Sequence, residues 1–575
     1  MRLARSVAAA ALASVVGCAL VAPYPDLADD MSLAADAASD RVEAREGAAF
    51  DGAPSCRTGE RVACFDGPPA QAGVGACVRG LAECLPDGGL GPCLGAGAPT
   101  AERCDTPEDE SCDGVGACTG AHGWAQRYGD GLAQSATGVA VAEDGTVYVG
   151  GTFLGDLALP DAKKTLSQAG DALIPDSFVL AIDPRTQALA WSVTIPDSYL
   201  NALSFAKGTL ALGGGTFAPI ALPGCAVAPI VGGPSADAFV ALVDASGTCT
   251  AARTFGDAAD QRVMHLSRDP VSGDVAIAGT FGGVLDFGGN ASPLDASGAG
   301  GPVQFYARLD PSLAGLRAFR LAPLNGARFS IAAIASSPLG AGDVVVGHQS
   351  GVAGFLPAVR VSPIAPGLGD VYGATGLDAF LVIFGKTGGG VQSAAGPGRS
   401  EAHAAAFDAS GALHIAGASN GAVEFGASIP DGGSAGMFVI QRGGPGLPSG
   451  QIASFFPVEM ARVQSMTTDG AGNVVVAASY GASAALGSFR LPDGGGELVA
   501  KLRIAKVGEG GAVYAHAPVW VLPLTTGVAP LEVAAAPAGE IAVAGAFAGA
   551  LDPGAPPPLI APGTATDAFL LWRRP

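Results

Sequence analysis

The residues best suited to chemistry form a short acidic stretch between cysteines. Five carboxylates fall within nine residues: Asp105, Glu108, Asp109, Glu110 and Asp113. Carboxylate oxygens are the ligands that a hard cation such as Ca²⁺ prefers, so this stretch is a candidate cation site. The acid spacing of an EF-hand is absent, however, and a solvated acidic loop is the favoured alternative.

Catalytic patterns are weak in the rest of the chain. Its six histidines are His122, His265, His348, His403, His414 and His516. None lies in an HExxH pattern or at another ligand-like spacing, so each is expected to be structural or solvated. Gly-x-Ser-x-Gly occurs at 417–421 and 432–436, but neither match has the strand–turn–helix context of a nucleophile elbow. We therefore predict no enzyme activity.

The eleven cysteines separate into three groups. Cys18 follows an apolar N-terminal segment, whereas Cys225 and Cys249 stand alone in the C-terminal part. The other eight are clustered: Cys56, Cys64, Cys77, Cys84, Cys93, Cys104, Cys112 and Cys118. An even, clustered set indicates disulfides formed in an oxidising compartment, and the CxxC pairs of a zinc site are absent. The pairing of the eight stays open, but we expect a Cys225–Cys249 bridge because these residues flank one predicted strand.

The composition restricts the class of protein. The 575 residues include 31 Lys and Arg against 52 Asp and Glu, and the resulting net charge of −21 disfavours nucleic acid as a partner. Mean hydropathy is +0.37, but no apolar run reaches the length of a membrane-spanning helix. Gly (87) and Pro (42) are abundant, which favours a turn-rich, all-β protein.

Residues 1–18 have the organisation of an export signal. Arg2 and Arg5 precede an apolar segment, 6–16, that is too short to span a bilayer comfortably. The ending Val15-Val16-Gly17-Cys18 resembles the bacterial lipobox, which implies that Cys18 carries a lipid and anchors the protein in a bilayer. Ala19 at the next position implies the outer membrane. An ordinary signal peptide or a short membrane anchor is the alternative.

From Trp124 onward the sequence repeats every 61 to 69 residues. Each copy has a short apolar strand opened by glycine: Gly145, Gly208, Gly273, Gly342, Gly411, Gly472 and Gly539. A second apolar segment follows, as in 176–183 and 237–244, and each repeat holds about four short strands. Four strands in each of seven repeats predict a seven-bladed β-propeller over residues 121–575, with six or eight blades as the alternatives.

Two parts of the chain resemble bacterial families. The stretch ERCDTPEDESCDG at 102–114 resembles the metal-binding motif of MopE-like surface proteins, although Thr106-Pro107 replaces the usual glycine. The repeats resemble bacterial β-propeller repeat proteins. These resemblances imply an exported protein with a disulfide-rich module at 53–120 before the propeller. The Ala-, Asp- and Pro-rich segment 19–52 is expected to be a flexible acidic tether.

The propeller loops are the expected binding surface. Three of them, Pro160–Pro175, Pro219–Ala236 and Leu356–Leu377, are long and carry few titratable groups. We therefore predict a lipid-anchored cell-surface binding, adhesion or scaffold protein whose partner is an unidentified protein or glycan. The alternatives are a lyase or glycosidase that uses the central channel, and a purely structural envelope component. Asp156, Asp286, Glu424 and Asp552 follow equivalent strands, where turn formation is the favoured role over cation binding.

Cys18→Ser tests the predicted anchor. We expect the wild-type protein to enter the detergent phase of a two-phase extraction and the variant to stay in the aqueous phase or remain unprocessed. The physical reason is that each buried methylene of an acyl chain contributes about 0.8 kcal/mol. The double variant Cys225→Ser/Cys249→Ser is the control for loss of other cysteines. Equal partitioning of Cys18→Ser and the wild type would contradict the prediction.

Overall fold

The computed structural model describes most of the chain after residue 55. The described residues are 56–575 without 88, 101–107, 111, 113–119, 160–163, 231–234, 299–300, 302, 324–327, 351–357, 363–370, 373–376, 386–388, 395–397, 422, 425–427, 430–434, 444–450, 459–461, 482–483, 508–512, 525–526 and 555. The predicted anchor at Cys18 and the tether at 19–52 therefore lie outside the described residues, as do Cys104, Asp105, Asp113 and Cys118.

The N-terminal module is held together by disulfides. Strand β1 (Arg61–Cys64) pairs antiparallel with β2 (Gly80–Glu83), and a single-turn 3-10 helix (Pro69–Gln71) lies between them. The bridges join Cys56 to Cys84, Cys64 to Cys93 and Cys77 to Cys112. A segment this small buries too little apolar surface to be stable unaided, so covalent links take the place of a core.

Strands of the propeller follow from residue 122 to residue 573. The first are β3 (His122–Tyr128), β4 (Gln134–Val141), β5 (Val147–Phe153), β6 (Asp156–Leu159), β7 (Lys164–Ser167), β8 (Asp176–Ile182), β9 (Leu189–Ile195), β10 (Ser198–Ala206), β11 (Thr209–Thr216), β12 (Ile220–Leu222), β13 (Cys225–Val227), β14 (Asp237–Asp244) and β15 (Cys249–Phe255). Next come β16 (Gln261–Arg268), β17 (Val275–Phe281), β18 (Val284–Leu285), β19 (Leu294–Asp295), β20 (Val303–Leu309), β21 (Gly315–Pro323), β22 (Arg328–Ser336), β23 (Gly342–Ser350), β24 (Ala358–Ser362), β25 (Val371–Tyr372), β26 (Leu377–Gly385) and β27 (Gly389–Ser393). The last are β28 (Ser400–Phe407), β29 (Leu413–Ser419), β30 (Val423–Glu424), β31 (Ser428–Ile429), β32 (Gly436–Arg442), β33 (Gln451–Phe456), β34 (Arg462–Thr468), β35 (Val474–Tyr480), β36 (Ala485–Leu486), β37 (Phe489–Arg490), β38 (Gly496–Val507), β39 (Val513–Leu524), β40 (Val528–Ala535), β41 (Ile541–Phe547), β42 (Ala550–Leu551), β43 (Leu559–Ile560) and β44 (Asp567–Arg573).

These strands form seven antiparallel blades, each a four-stranded meander from an inner to an outer strand. In order the blades are β4-β5-β8-β9, β10-β11-β14-β15, β16-β17-β20-β21, β22-β23-β26-β27, β28-β29-β32-β33, β34-β35-β38-β39 and β40-β41-β44-β3. The remaining short strands form a hairpin inserted between the second and third strands of each blade. In blade 4 the inserted β24 also pairs with β21, the outer strand of blade 3. The predicted all-β, seven-bladed propeller is confirmed.

The ring closes through strands from the two ends of the repeat region. β3 supplies the outer strand of blade 7, where it pairs antiparallel with β44. Arg127 forms an ion pair with the buried Asp567, and the backbone N–H of Gly120 donates to the carbonyl of Pro575 at 2.8 Å. The first propeller strand therefore completes the last blade, and an open ring becomes a closed one.

Both faces of each blade are buried against a neighbouring blade. Alternate residues of β14 show this, because Ala238, Val240 and Leu242 pack toward blade 3 whereas Phe239 and Ala241 pack toward blade 1. The described residues contain seven such apolar clusters, and each one spans two adjacent blades. Burial on both faces explains why the third strands are continuous apolar runs rather than alternating ones.

Every inner strand carries an irregularity at the same level. Its register against the second strand shifts in all seven blades, at Ala136/Gly138 in blade 1 and Ala402/Ala404 in blade 5, for example. A β-bulge of this kind adds one residue and redirects its side chain. The extra residues join neighbouring blades: Asn201 donates to the carbonyl of Val263 at 2.8 Å, and Gln464 accepts from the N–H of Leu531 at 2.9 Å.

One disulfide lies within the propeller. Cys225 opens β13 of the inserted hairpin in blade 2, and Cys249 opens β15, the outer strand of the same blade. The bridge fixes the hairpin to the framework, as the spacing of these cysteines predicts.

Replacing both of these cysteines by alanine should lower the free energy of unfolding by about 3 kcal/mol, because the open chain gains conformational entropy in its unfolded state. Denaturant titration of the purified variant and wild type measures the difference. Mass spectrometry of unreduced peptides is the check on the bond itself, and free thiols at both positions in the wild type would refute it.

Candidate functional site

All inserted hairpins leave the same face of the ring. The start of each inner strand pairs with the end of the second strand, as Gln134 does with Phe153 and Ser400 with Ser419. Both points therefore lie at one edge of the blade, and every insertion departs from it. We call this edge of the seven blades the hairpin face. The insertions span residues 154–175, 217–236, 282–302, 351–376, 420–435, 481–495 and 548–566.

The three predicted binding loops lie in these insertions, although parts of each are outside the described residues. Several described positions expose large apolar side chains on this face. Leu173 is 88% exposed, Ile560 57% and Ile230 51%. They belong to blades 1, 2 and 7, which are consecutive in the closed ring, so these exposed side chains lie in one sector of the hairpin face. Exposed apolar groups among polar neighbours are suited to contact with a partner.

Buried aspartates fix the bases of two hairpins. Asp176 opens β8 with no exposed surface, and its carboxylate accepts the N–H groups of Ala169 at 2.7 Å and Asp197 at 2.9 Å. Asp237 opens β14 in blade 2 and accepts the N–H of Ile230 at 2.7 Å. The acid that begins the second repeated segment therefore ties the insertion to the rigid blade.

Two of the four acids that follow the second strands accept hydrogen bonds within turns. Asp286 accepts the N–H of Gly288 and Asp552 accepts that of Gly554, both at 2.8 Å. These contacts support the turn interpretation over a carboxylate ring. Asp156 lies exposed at the start of β6, and the side chain of Glu424 lies outside the described part of the chain.

Two histidines and a glutamate meet between blades 4 and 5, at the inner edge of the hairpin face. His348 is near the end of β23, and Glu401 and His403 are near the start of β28. The Glu401 Oε2 atom lies 3.2 Å from His403 Nε2 and 3.8 Å from His348 Nδ1. One ligand atom from each of the three lies within 4.8 Å of the others. It is the only group of metal-ligand type that the described residues bring together.

Arg399 holds the glutamate of this cluster in place. Its guanidinium contacts the other carboxylate oxygen, Glu401 Oε1, at 2.7 and 2.8 Å. The hydrogen bond with His403 lowers the pKa of Glu401 to about 2. Burial lowers the pKa of His348, with the charge of Glu401 opposing the shift. At neutral pH the cluster therefore presents a carboxylate beside a neutral His348 ring.

Two inner strands carry an ionisable residue at a position, near the bulge, where the other inner strands carry a small residue. His265 in β16 and Glu532 in β40 occupy the register position that holds Gly138, Ala202, Ala333, Ala404 and Ser465 in the other blades. Burial lowers the pKa of His265 to about 4. It raises the pKa of Glu532 to about 8, although a hydrogen bond with Ser465 opposes the shift. Both groups are therefore largely uncharged at neutral pH.

The opposite face has a shallow depression of about 300 Å³ where the inner strands end. Its two aspartates are already engaged. Asp469 forms a 2.9 Å ion pair with Lys501, which is fully buried, and Asp408 lies 3.1 Å from His414 Nε2. Removing one partner would leave a buried charge unpaired, so these contacts serve the structure rather than a ligand.

The acidic stretch of the module is only partly described. Glu108 is exposed, whereas Asp109 is buried and its backbone carbonyl accepts the N–H of Ala76 at 2.9 Å. The carbonyl of Glu110 accepts the N–H of Thr100 at 2.8 Å. These backbone contacts order the stretch, and cation binding by its side chains stays a prediction.

Motif searching missed His348 and His403 because their spacing along the chain is not that of a metal site. Alignment of the repeats contains the signal. His348 stands where the other second strands have Gly, Ala, Ser or Thr, as at Thr152 and Gly215. His403 is the extra residue of a bulge, two positions after Glu401. A titratable residue at a position that is small elsewhere marks the site.

No protein-family model matches the chain, and no curated protein matches it. Solved structures of similar arrangement include Kuenenia stuttgartiensis hydrazine synthase (11% identity, TM-score 0.36, covering 75% of this chain and 95% of that one). Others are the β-propeller domain of the trilobed protease from Pyrococcus furiosus (9%, 0.35, 77% and 94%) and Sqt1 from Chaetomium thermophilum (11%, 0.37, 78% and 99%). At these identities and TM-scores they carry no argument about activity. No helix in the described part of the chain is long and apolar enough to cross a membrane.

Glu532→Gln should stabilise the protein in alkaline but not in acidic solution. Since burial raises the pKa of Glu532 to about 8, the folded state keeps a proton that the unfolded state loses above its ordinary pKa of 4.5. Stability therefore falls as the pH rises through this window, and glutamine removes that loss. We expect the variant to gain about 4 kcal/mol at pH 8 relative to pH 4.5, because each unit of pKa difference between the folded and unfolded states corresponds to about 1.4 kcal/mol.

Thermal unfolding at both pH values measures the effect. Glu143→Gln, at an exposed turn between β4 and β5, is the matched control and should show no pH-dependent gain. A difference between Glu532→Gln and the wild type that is equal at both pH values would contradict the assignment.

Proposed function

We propose that the protein is an exported, lipid-anchored surface protein that binds a protein or glycan through its hairpin face and performs no catalysis. The observation that carries this proposal is that seven hairpins of different length and sequence project from one face of a uniform ring. Loops on a rigid scaffold are a common place for recognition. The same architecture serves other functions in other proteins, so the hairpins rather than the fold support the proposal.

Hairpin residues such as Leu157 and Phe287 also enter the core, but the most exposed hairpin side chains do not. The seven interfaces between blades are filled mainly by framework strands such as β5, β8 and β14. The hairpins are fixed at their bases by Asp176 and Asp237, and in blade 2 also by a disulfide. Exposed side chains such as Leu173 are therefore held without being needed for the core. This arrangement suits a surface whose contacts are specific to one partner.

The cysteines support an address outside the cytoplasm. Three described disulfides in the module and one in the propeller indicate an oxidising compartment. Lipid attachment at Cys18 and location at the outer membrane are proposals that rest on the sequence. Ca²⁺ binding by Asp105, Glu108, Asp109, Glu110 and Asp113 would add rigidity to the module.

A propeller enzyme is the second candidate, and two carboxyl groups favour it. Glu401 has a pKa lowered to about 2 by its hydrogen bond with His403, and Glu532 has one raised to about 8 by burial. A carboxylate and a protonated carboxyl group are the pair that glycoside hydrolysis uses. The two lie on inner strands of blades 5 and 7, with blade 6 between them.

Substitutions on opposite faces distinguish binding through the hairpins from other modes. We expect the triple variant Leu173→Ser/Ile230→Ser/Ile560→Ser to bind glycan arrays or intact cells lacking the protein at least about tenfold more weakly than the wild type, a loss of about 1.4 kcal/mol. The control Val271→Ser/Leu339→Ser, at exposed positions on the opposite face, should bind like the wild type. Equal binding by both variants would contradict the proposal.

A turnover screen against glycan, ester and peptide substrates tests the enzymatic alternative with the same preparations. The binding proposal predicts no turnover by the wild type. Turnover that Glu401→Gln or Glu532→Gln abolishes would replace binding with catalysis as the function.

A further inference from the structure

We propose that His348, Glu401 and His403 bind a divalent first-row transition-metal ion, with Zn²⁺ as the reference case, between blades 4 and 5. This site is separate from the acidic stretch of the module, whose oxygen ligands suit a hard cation. Imidazole nitrogens with one carboxylate instead suit zinc and its neighbours. The proposal does not depend on what the hairpins bind.

The separations of the ligand atoms fit a shared ion. Zinc lies about 2.0–2.2 Å from nitrogen and carboxylate oxygen, so two tetrahedral ligands are about 3.3–3.5 Å apart. The Glu401 Oε2 atom is 3.2 Å from His403 Nε2 and 3.8 Å from His348 Nδ1. The two imidazole nitrogens lie within 4.8 Å of each other, so the His348 side chain would close the geometry by moving up to about 1 Å toward the ion.

An unpaired nitrogen points to a missing ligand. His348 Nδ1 is buried and has no hydrogen-bond partner, and its 3.8 Å distance from Glu401 Oε2 exceeds a hydrogen bond. Leaving such an atom unpaired costs free energy. A metal ion between His348 Nδ1 and the Glu401 carboxylate would bind the lone pair of this nitrogen. The hydrogen bond between Glu401 and His403 leaves that lone pair unused.

The surroundings have the features of a metal site rather than of an isolated hydrogen bond. Arg399 binds Glu401 Oε1 and so directs Oε2 toward the histidines, the outer-shell role that orients a metal ligand. Glu401 and His403 are two positions apart on β28, a spacing at which strand side chains share a face, and His403 is the extra residue of the bulge. The side chains of His348 and Glu401 are 26% and 20% exposed, so an ion has access from the hairpin face.

Three protein ligands leave a coordination position open. In a tetrahedral site that position would hold water or an oxygen ligand. The site therefore belongs to the class with an accessible metal rather than to closed structural sites with four protein ligands.

Metal titration of the full-length protein, purified without a histidine tag and stripped with a chelator, tests the proposal. We expect one Zn²⁺ bound per chain at this site, measured by elemental analysis and by competition with a chromogenic chelator. Co²⁺ in place of Zn²⁺ should give the visible absorption of a nitrogen- and oxygen-ligated ion. Glu401→Gln and His403→Ala should each weaken Zn²⁺ binding more than about 100-fold, and Arg399→Gln about tenfold.

His122→Ala is the matched control, since this histidine lies on β3, away from the cluster. It should bind Zn²⁺ like the wild type. His348→Ala guards against misfolding, because its partly exposed side chain is not part of an apolar cluster. This variant should lose Zn²⁺ while keeping the wild-type melting temperature of the stripped protein. Equal Zn²⁺ affinity in the wild type, His348→Ala and Glu401→Gln would overturn the site, and this result leaves the binding function of the hairpins untouched.

Discussion

The structure depends on the burial of both faces of every blade against its neighbours. A single four-stranded sheet of this composition would expose one row of large apolar side chains on each side. In β14, for example, Val240 faces one neighbour and Phe239 the other, and both are fully buried. Stability therefore belongs to the interfaces and not to any blade alone. The pairing of β3 with β44 supplies the seventh interface and leaves no blade with an uncovered face.

This constraint decides where function is accommodated. The third strands are mostly apolar because both of their faces are covered, and a charged side chain such as that of Lys501 is paired inside the framework. Chemically distinctive residues lie in the insertions and on the first two strands of the blades, as His348 on β23 and His403 on β28 show. The hairpins supply a broad, irregular surface. The bulges of the inner strands, such as the one at His403, place side chains at the junction of two blades.

Much of the architecture can be predicted from the sequence because each sequence repeat corresponds to the strands of one blade. The repeats contain strands opened by glycine and apolar runs like those that begin at Asp176 and Asp237. Seven copies of this pattern are typical of a seven-bladed propeller. The bridge between Cys225 and Cys249 follows from their positions around one strand. Closure by β3 is harder to anticipate, since the segment at Trp124 resembles the start of a repeat although it completes the last blade.

The cluster of His348, Glu401 and His403 was not predictable by motif. Its members come from different blades, and their proximity is a product of ring geometry and of a bulge that strand periodicity does not describe. Similarly, the raised pKa of Glu532 reflects its surroundings in the ring rather than its sequence neighbours. Local patterns determine strands, but the environment of an inner-strand residue is set by the six other blades.

The closing pair of strands also has a consequence for biogenesis. β3 pairs with β44 in the folded protein. A ribosome that has synthesised six blades has therefore not yet made the partner of the first propeller strand. Contacts so distant in sequence form late, after the entropy of a very long loop has been overcome. A nascent chain with six blades therefore keeps the faces of blades 1 and 6 that pack against blade 7 uncovered until that blade has been synthesised.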